Sequence, residues 1–321
     1  MKQILVLGSL NIDLVQALPR VPAPGETLQG GGLRIFPGGK GANQACAAAM
    51  LSSGGGSVRM AGMVGNDVFA DRLLGELHSA GVNAELVRQA DTSSGSAVIF
   101  VLPNGENTIV ISPGANGEVS PELAVEAVDT LQPGDLLLCQ LEVPLAAVQA
   151  ALQRAHERQI VTILDPAPAC HLPDDLLSAV TILTPNQTEA ALLMGTTVAL
   201  DNATALEAAA RSLRSRGART VIIKMGGEGS LLFHDGQTIV TPAFPVAAVD
   251  TTAAGDTFNG ALAVALAEGA AIRDAVRFAS AAAALSVTKA GAIPSIPRRA
   301  GVEALLGARD THPGATHVHR Q

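Results

Sequence analysis

DLLLCQLEVPLAAVQAALQRAHERQIVTILD, Asp135 to Asp165, carries two short aliphatic runs on either side of an alanine-rich amphipathic segment. DLLLCQL and IVTIL have too little polar alternation for half-exposed strands, so both read as strands buried on both faces. The segment between them, PLAAVQAALQRAHER, has apolar residues at helical spacing. Strand, helix and strand in succession make a crossover unit, which calls for a parallel pair. The same alternation recurs around ILVLG (Ile4 to Gly8), VTIL (Val180 to Leu183), NATALEAAARSLRSRG and TVIIK (Thr220 to Lys224). The expected fold is therefore α/β, a doubly wound, mostly parallel sheet sandwiched by helices.

In such sheets ligands sit beyond the carboxyl ends of the strands. Polar residues stand at those ends: Asn11 and Asp13 after the first run, then Glu142, Asp165 and Asn186. Singly, each is equally a helix cap or a turn residue. Together they are expected to line one rim.

The 321 residues suffice for one large domain with an attached subdomain. Apolar residues are 48% and charged residues 16%, the balance of a compact protein. With no Trp or Tyr, base stacking has little to build on, and a net charge of −8 offers no basic footprint for nucleic acid. Three scattered cysteines suggest neither a disulfide framework nor a metal site. No signal peptide and no long apolar span are evident, so a soluble cytoplasmic protein with no membrane association is expected.

Two segments break the alternation. Residues 14–36 read as extended pieces with turns, and residues 97–111 as a hairpin around PNGE. They are expected to form a small β-sheet standing off the main one, either as a lid and subunit contact or as an excursion with no role in closure. The end of the chain, 309–321, is polar and His-dotted, and disorder is its expected state.

Three motifs carry chemistry. FPGGKGANQACAAA (Phe36 to Ala49) is a glycine turn entering an alanine-rich helix; Arg34 stands where a Walker A loop needs its first glycine. DTTAAGDTFNG (Asp250 to Gly260) places Ala253, Ala254 and Gly255 before Asp256 at the start of a helical run. Amides there could stabilise charge on a transferring phosphoryl group, with Asp256 as proton acceptor, or Asp256 could merely compensate the helix dipole. TPNQTEA puts Asn186 and Glu189 on one helical face, suited to positioning hydrated Mg²⁺ or to capping the helix, and KMGGEGS follows a strand as a turn that could border a nucleotide.

NID (Asn11 to Asp13), GGKGANQA (Gly38 to Ala45), QLE ending at Glu142, TPNQTEA and DTTAAGDTFNGAL, in this order, resemble the ribokinase family of carbohydrate and nucleoside kinases. The resemblance implies a kinase domain over 1–308 that transfers a phosphoryl group from ATP to the 5-hydroxyl of D-ribose. It implies sugar contacts from Asn11, Asp13, Gly38, Gly39, Lys40, Asn43, Glu142 and Asp256, with Asp256 as base. Ala253, Ala254 and Gly255 become the anion hole, and Glu189 an Mg²⁺ partner through water. Asn186, Lys224, Met225, Gly226, Gly227, Glu228, Gly229, Gly255 and Ser280 match nucleotide positions. A monovalent cation, K⁺ in most of the family, is implied at Asp250, Thr252, Ser286, Lys289, Gly291 and Ser295, and a homodimer through the lid sheets.

Kinases for deoxyribose, fructose or a nucleoside are the near alternatives. An apolar or aromatic slot for a nucleoside base is hard to build from seven Phe and no Trp or Tyr. From other classes, a non-catalytic sugar- or nucleotide-binding regulator is opposed by the intact Asp256 turn. A nicotinamide-dependent oxidoreductase is opposed by GSLNID where GxGxxG would stand.

Overall fold

The computed structural model describes residues 2–54, 58–104, 106–196 and 200–310. Its strands are β1 (Ile4–Leu7), β2 (Asn11–Ala17), β3 (Arg34–Gly38), β4 (Val58–Val64), β5 (Asn83–Gln89), β6 (Gly95–Val101), β7 (Asn107–Ser112), β8 (Leu136–Cys139), β9 (Val161–Leu164), β10 (Ile182–Leu183), β11 (Thr220–Lys224), β12 (Ser230–His234) and β13 (Gln237–Thr241). Nine of them form one sheet in the order β13-β12-β11-β10-β9-β8-β1-β4-β5. All its pairings are parallel except the last two at one edge, β11 with β12 and β12 with β13.

Each parallel strand is buried on both sides. In β1, Ile4 and Val6 join the core formed with helices Lys40–Leu51, Ala254–Ala267 and Ile272–Ser286, while Leu5 and Leu7 join that of Pro121–Asp129 and Leu145–Glu157. This is why these strands read as unbroken aliphatic runs. Four strands are not legible that way: β4 is interrupted by Arg59 and Gly62, β5 is a polar edge, and β12 and β13 form the antiparallel margin.

β2, β3, β6 and β7 make a separate sheet in the order β3-β2-β6-β7. It starts and ends a few residues outside the expected 14–36 and 97–111, because Asn11 and Asp13 belong to β2 itself and do not follow β1 as loop residues. Pairings Asp13↔Ala97 and Ala97↔Ile111 put Asp13 and Ile111 on one face of this sheet. Leu14 and Ile35, on its opposite face, pack against the main core. Gly105 of the expected PNGE turn lies outside the described residues. So does the tail from 311 onward; residues 309 and 310, assigned to that tail, end the helix Arg299–Asp310.

Helices Lys40–Leu51 and Ala254–Ala267 pack at backbone distance. A Cβ on Gly260 would lie 2.6 Å from the Ala47 Cβ and 2.7 Å from the Gln44 carbonyl oxygen, so only glycine permits this approach. It brings the first turns of the two helices together.

Candidate active site

β1 is flanked by β4 and β8, and the chain winds outward from it in both directions, so the switch point of the sheet lies at the ends of β1 and β8. Ser9 and Glu142 meet there, the Ser9 hydroxyl donating to Glu142 Oε2 at 2.5 Å. The same oxygen accepts from the Lys40 backbone amide at 3.0 Å and lies 3.5 Å from Asn11 Nδ2. Glu142 thus compensates the N-terminus of helix Lys40–Leu51, whose N-cap, Gly39, has no side chain to do so. Gly39 has φ +90°, and a Cβ there would lie 2.8 Å from the Asn11 amide nitrogen. The glycine turn lets the helix begin against β2.

Asp256 is buried in the first turn of helix Ala254–Ala267. Its Oδ2 accepts from Asn43 Nδ2 at 3.0 Å and its Oδ1 from Gln44 Nε2 at 2.9 Å. The Asp256 charge, with Asp165, Glu142 and Glu189 behind it, holds the half-buried Lys40 ammonium above its ordinary range against the opposing effect of burial. Across the same space, burial pushes Asp13 up to about 7, helped by the charges of Glu142 and Asp256. Gly38 abuts Asp13, since a Cβ there would fall 2.5 Å from its Oδ2. Asn11, Asp13, Gly38, Gly39, Lys40, Asn43, Glu142 and Asp256 therefore surround one polar space.

Ala253 adopts a left-handed conformation, φ 57°, at the N-cap of that helix. Its carbonyl accepts the Thr257 amide, and the Ala254 amide turns to the Thr251 carbonyl at 3.3 Å. Gly255 faces Lys224: a Cβ on it would be 3.4 Å from Lys224 Nζ. Lys224 in turn donates to Asp165 Oδ1 at 2.8 Å, a largely buried ion pair. On this side opens a cavity of about 470 Å³, lined by Lys224, Gly226, Gly227, Gly229, Gly255 and Ser280. Met225 and Glu228 belong to the same turn, which is a hairpin between β11 and β12, but do not line the cavity. Phe244, Ala284 and Val287 complete an apolar wall that no sequence motif announces.

Asn186 and Glu189 form a reciprocal capping box, each side chain accepting the other's backbone amide at 2.8 Å. The capping reading thus holds, and it spends one Glu189 oxygen. Burial raises the Glu189 carboxyl and the Asp165 charge adds to this, while Lys224, the Asn186 amide and Lys40 pull the other way. The box engages only Oε2, so the half-buried Glu189 keeps one oxygen with which a hydrated Mg²⁺ could be held through water, against the repulsion of the two lysines. Among the described residues no group of three or more His, Cys, Asp and Glu could hold a metal ion by itself.

The segments assigned to a monovalent cation also converge. Val249 and Asp250 amides donate to the Val287 carbonyl at 2.7 and 3.2 Å, and Gly291 N donates to Asp250 Oδ2 at 2.8 Å. Asp250 Oδ1 accepts from Thr252 N and Oγ1. Burial pushes the Asp250 carboxyl up, but the donors Gly291 and Thr252 outweigh it and leave it below its ordinary value. Ser286 and Ser295 are buried and donate to carbonyls three residues back, whereas Lys289 is exposed. Asp250 thus ties its own loop to the one at Gly291, which brings the segments assigned to the cation together.

Gln44 lies within GGKGANQA and Gln140 begins QLE, but neither is assigned a role there, and Asn116 stands outside every motif; all three are buried in the site. Asn116 Nδ2 donates to Asn11 Oδ1 at 2.7 Å and its Oδ1 accepts from the Leu10 amide at 2.9 Å, which fixes how Asn11 faces the polar space. Asp165, visible in the sequence as a strand-end carboxylate, is the partner of both Lys224 and Gln44.

The nine-stranded sheet with its flanking helices and separate four-stranded sheet is a ribokinase-like α/β fold. The chain belongs to the pfkB family of carbohydrate kinases, whose model, described as pfkB family carbohydrate kinase, matches residues 1–299. It is 41% identical over 299 residues to the ribokinase of Haemophilus influenzae, covering 93% of this chain and 96% of that one. It is 40% identical over 296 residues to the deoxyribokinase of Salmonella typhi, covering 92% and 95%. The structure of Arabidopsis thaliana ribokinase complexed with ribose and ATP superposes with a TM-score of 0.85 at 33% identity, covering 95% of this chain and 98% of that one. No helix among the described residues is long and apolar enough to cross a membrane.

Proposed function

We propose that this protein transfers the γ-phosphoryl group of ATP to the 5-hydroxyl of D-ribose, giving D-ribose 5-phosphate and ADP. The observation that carries the reading is the seat of Asp256: a carboxylate gripped through both oxygens, with the polar groups of the sugar side on one flank and, beyond Gly255, the cavity of about 470 Å³ on the other. The ribokinase relatives support ribose as acceptor.

Asn11, Asp13, Lys40, Asn43 and Glu142 would hydrogen-bond the sugar hydroxyls, with the Gly38–Gly39 turn closing against them. Asp256 accepts the proton of the attacking hydroxyl as its oxygen bonds to the γ-phosphorus and the bond to ADP breaks. The Gly255 amide, with that of Ala253 and the Lys224 ammonium, opposes the charge on the transferring group, whereas the Ala254 amide, expected in the anion hole, donates to the Thr251 carbonyl and would join only by leaving it. Gly226, Gly227, Gly229 and Ser280 border the nucleotide, with Met225 and Glu228 shaping the turn, and the wall at Phe244, Ala284 and Val287 suits its base. Glu189 and Asn186 would hold Mg²⁺ through water. Asp250, Thr252, Ser286, Lys289, Gly291 and Ser295, mainly by carbonyl oxygens, would hold K⁺. When bound, these ions offset phosphate charge and firm the anion hole.

We also infer a homodimer through the small sheets, because Ile109, Val110 and Ile111 on β7 are exposed; a cytoplasmic setting goes with this reading. The 40% identity to a deoxyribokinase gives a second reading, deoxyribose as acceptor. A panel of D-ribose, 2-deoxy-D-ribose, fructose and adenosine with ATP, Mg²⁺ and K⁺ separates them. Ribose should give the highest kcat/KM; a large margin for deoxyribose would overturn the ribose assignment, and no phosphorylation at all would overturn the kinase reading.

A further inference from the structure

Gln44 is wholly buried, one helical turn after Lys40. Its single amide nitrogen donates to Asp256 Oδ1 at 2.9 Å and to Asp165 Oδ2 at 2.9 Å. Both acceptors are carboxylates, which when ionised only accept, so the nitrogen and not the oxygen of Gln44 faces them. The remaining polar atom, Oε1, accepts from Gln140 Nε2 at 2.7 Å, which prevents the amide from turning over. The two N–H bonds of a planar amide diverge at a fixed angle. Gln44 therefore sets the separation and orientation of the two carboxylates it joins. Asp165 spends its other oxygen on Lys224, whose ammonium stands beside Gly255.

We propose that Gln44 is a positioning residue for phosphoryl transfer, tying the carboxylate that takes the sugar proton to the Asp165–Lys224 pair that faces the transferring phosphoryl group. This rests on the function proposed above. Through Gln44, movement of either partner is felt by the other, and Asp256 is kept aimed at the sugar. The charged groups around Asp256 are Lys40 from its helix, Asp13 from β2, Glu142 after β8, Asp165 after β9, Glu189 from the helix Gln187–Leu193 and Lys224 from β11. Loss of the Gln44 amide removes the one side chain that joins the Asp256 and Asp165 carboxylates.

The test uses the full-length protein with D-ribose, ATP and Mg²⁺, measuring kcat, both KM values and the pH profile. Gln44→Leu should lower kcat by about ten- to hundredfold, the loss expected for one hydrogen bond to a charged group, with both KM values changed by less than about threefold. Gln44→Glu keeps the shape and provides a second reading if the leucine variant does not fold. The introduced carboxyl can donate only while protonated, so at saturating D-ribose this variant should lose kcat relative to the parent progressively as pH rises from about 6 to 9. Parent-like kcat with parent-like pH profiles in the folded variants would overturn the proposal. So would a loss confined to thermal stability, or one spread equally over kcat and both KM values with no added pH dependence in Gln44→Glu. Asp256→Asn, run alongside, separates the two levels. If it keeps parental kcat, the base assignment falls and Gln44 falls with it; if it is inactive while Gln44→Leu behaves as parent, only the Gln44 proposal falls.

Discussion

Asp13→Asn tests the electrostatics of the sugar side directly. Burial, with the charges of Glu142 and Asp256 behind it, moves the Asp13 carboxyl from its ordinary 3.8 to about 7. Between those two pH values the folded protein keeps a proton that the unfolded chain has released. Stability therefore falls as pH rises through this window and levels off above about 7. At about 1.4 kcal/mol per pH unit, the displacement corresponds to about 4 kcal/mol. Asp13 retains some contact with water, which screens it, so about 2 kcal/mol is the expected effect. For a chain of this size that is about 3 °C in melting temperature. Asparagine has the same shape and no charge to release. In scanning calorimetry from about pH 5 to 8.5, the variant's melting temperature relative to the parent should rise until about pH 7 and then hold level. Above about pH 7, where Asp13 is ionised, saturating D-ribose should raise the melting point of the parent and much less that of the variant, since a hydrogen bond to a charged group is lost, worth roughly ten- to hundredfold in affinity. A difference that is constant across the range, or that shrinks as pH rises, would refute the assignment of a strained, ionisation-averse carboxyl to this position.

Asp256→Asn should cut kcat by at least about a thousandfold while ribose binding, followed by calorimetric titration, changes by only a few fold. Ala253→Gly removes a side chain from a left-handed N-cap and should raise stability by about 0.5–1 kcal/mol, read by chemical denaturation, with kcat changed less than about twofold. Ile109→Lys with Ile111→Lys places charge on the exposed face shared with Asp13; light scattering should then find monomer where the parent is a dimer, and a parent that is already monomeric would remove the dimer reading.

The buried parallel strands were legible because burial on both faces leaves an unbroken aliphatic run, as in Leu136 to Cys139 and Val161 to Leu164. The helix starts at Lys40 and Ala254 were legible from their small-residue turns, and the acidic and amide groups at strand ends announced a rim. β4 and β5 escaped because Arg59, Gly62 and an edge position erase that pattern. The Asn186–Glu189 box shows the limit of spacing: it fitted a metal role and a cap equally well, and the cap is present.

By itself, then, the sequence determined the elements, the order of the motifs and the chemistry available to them, since periodicity, capping and turn formation depend on residues a few positions apart. Only the tertiary structure decided which of those groups meet. Gln44 reaches Asp165 and Asp256 across 121 and 212 positions, Asn116 reaches Asn11 across 105, and Lys224 reaches Asp165 across 59. Those contacts follow from sheet order and from the close packing of two helices at Gly260, which no local pattern of side chains encodes.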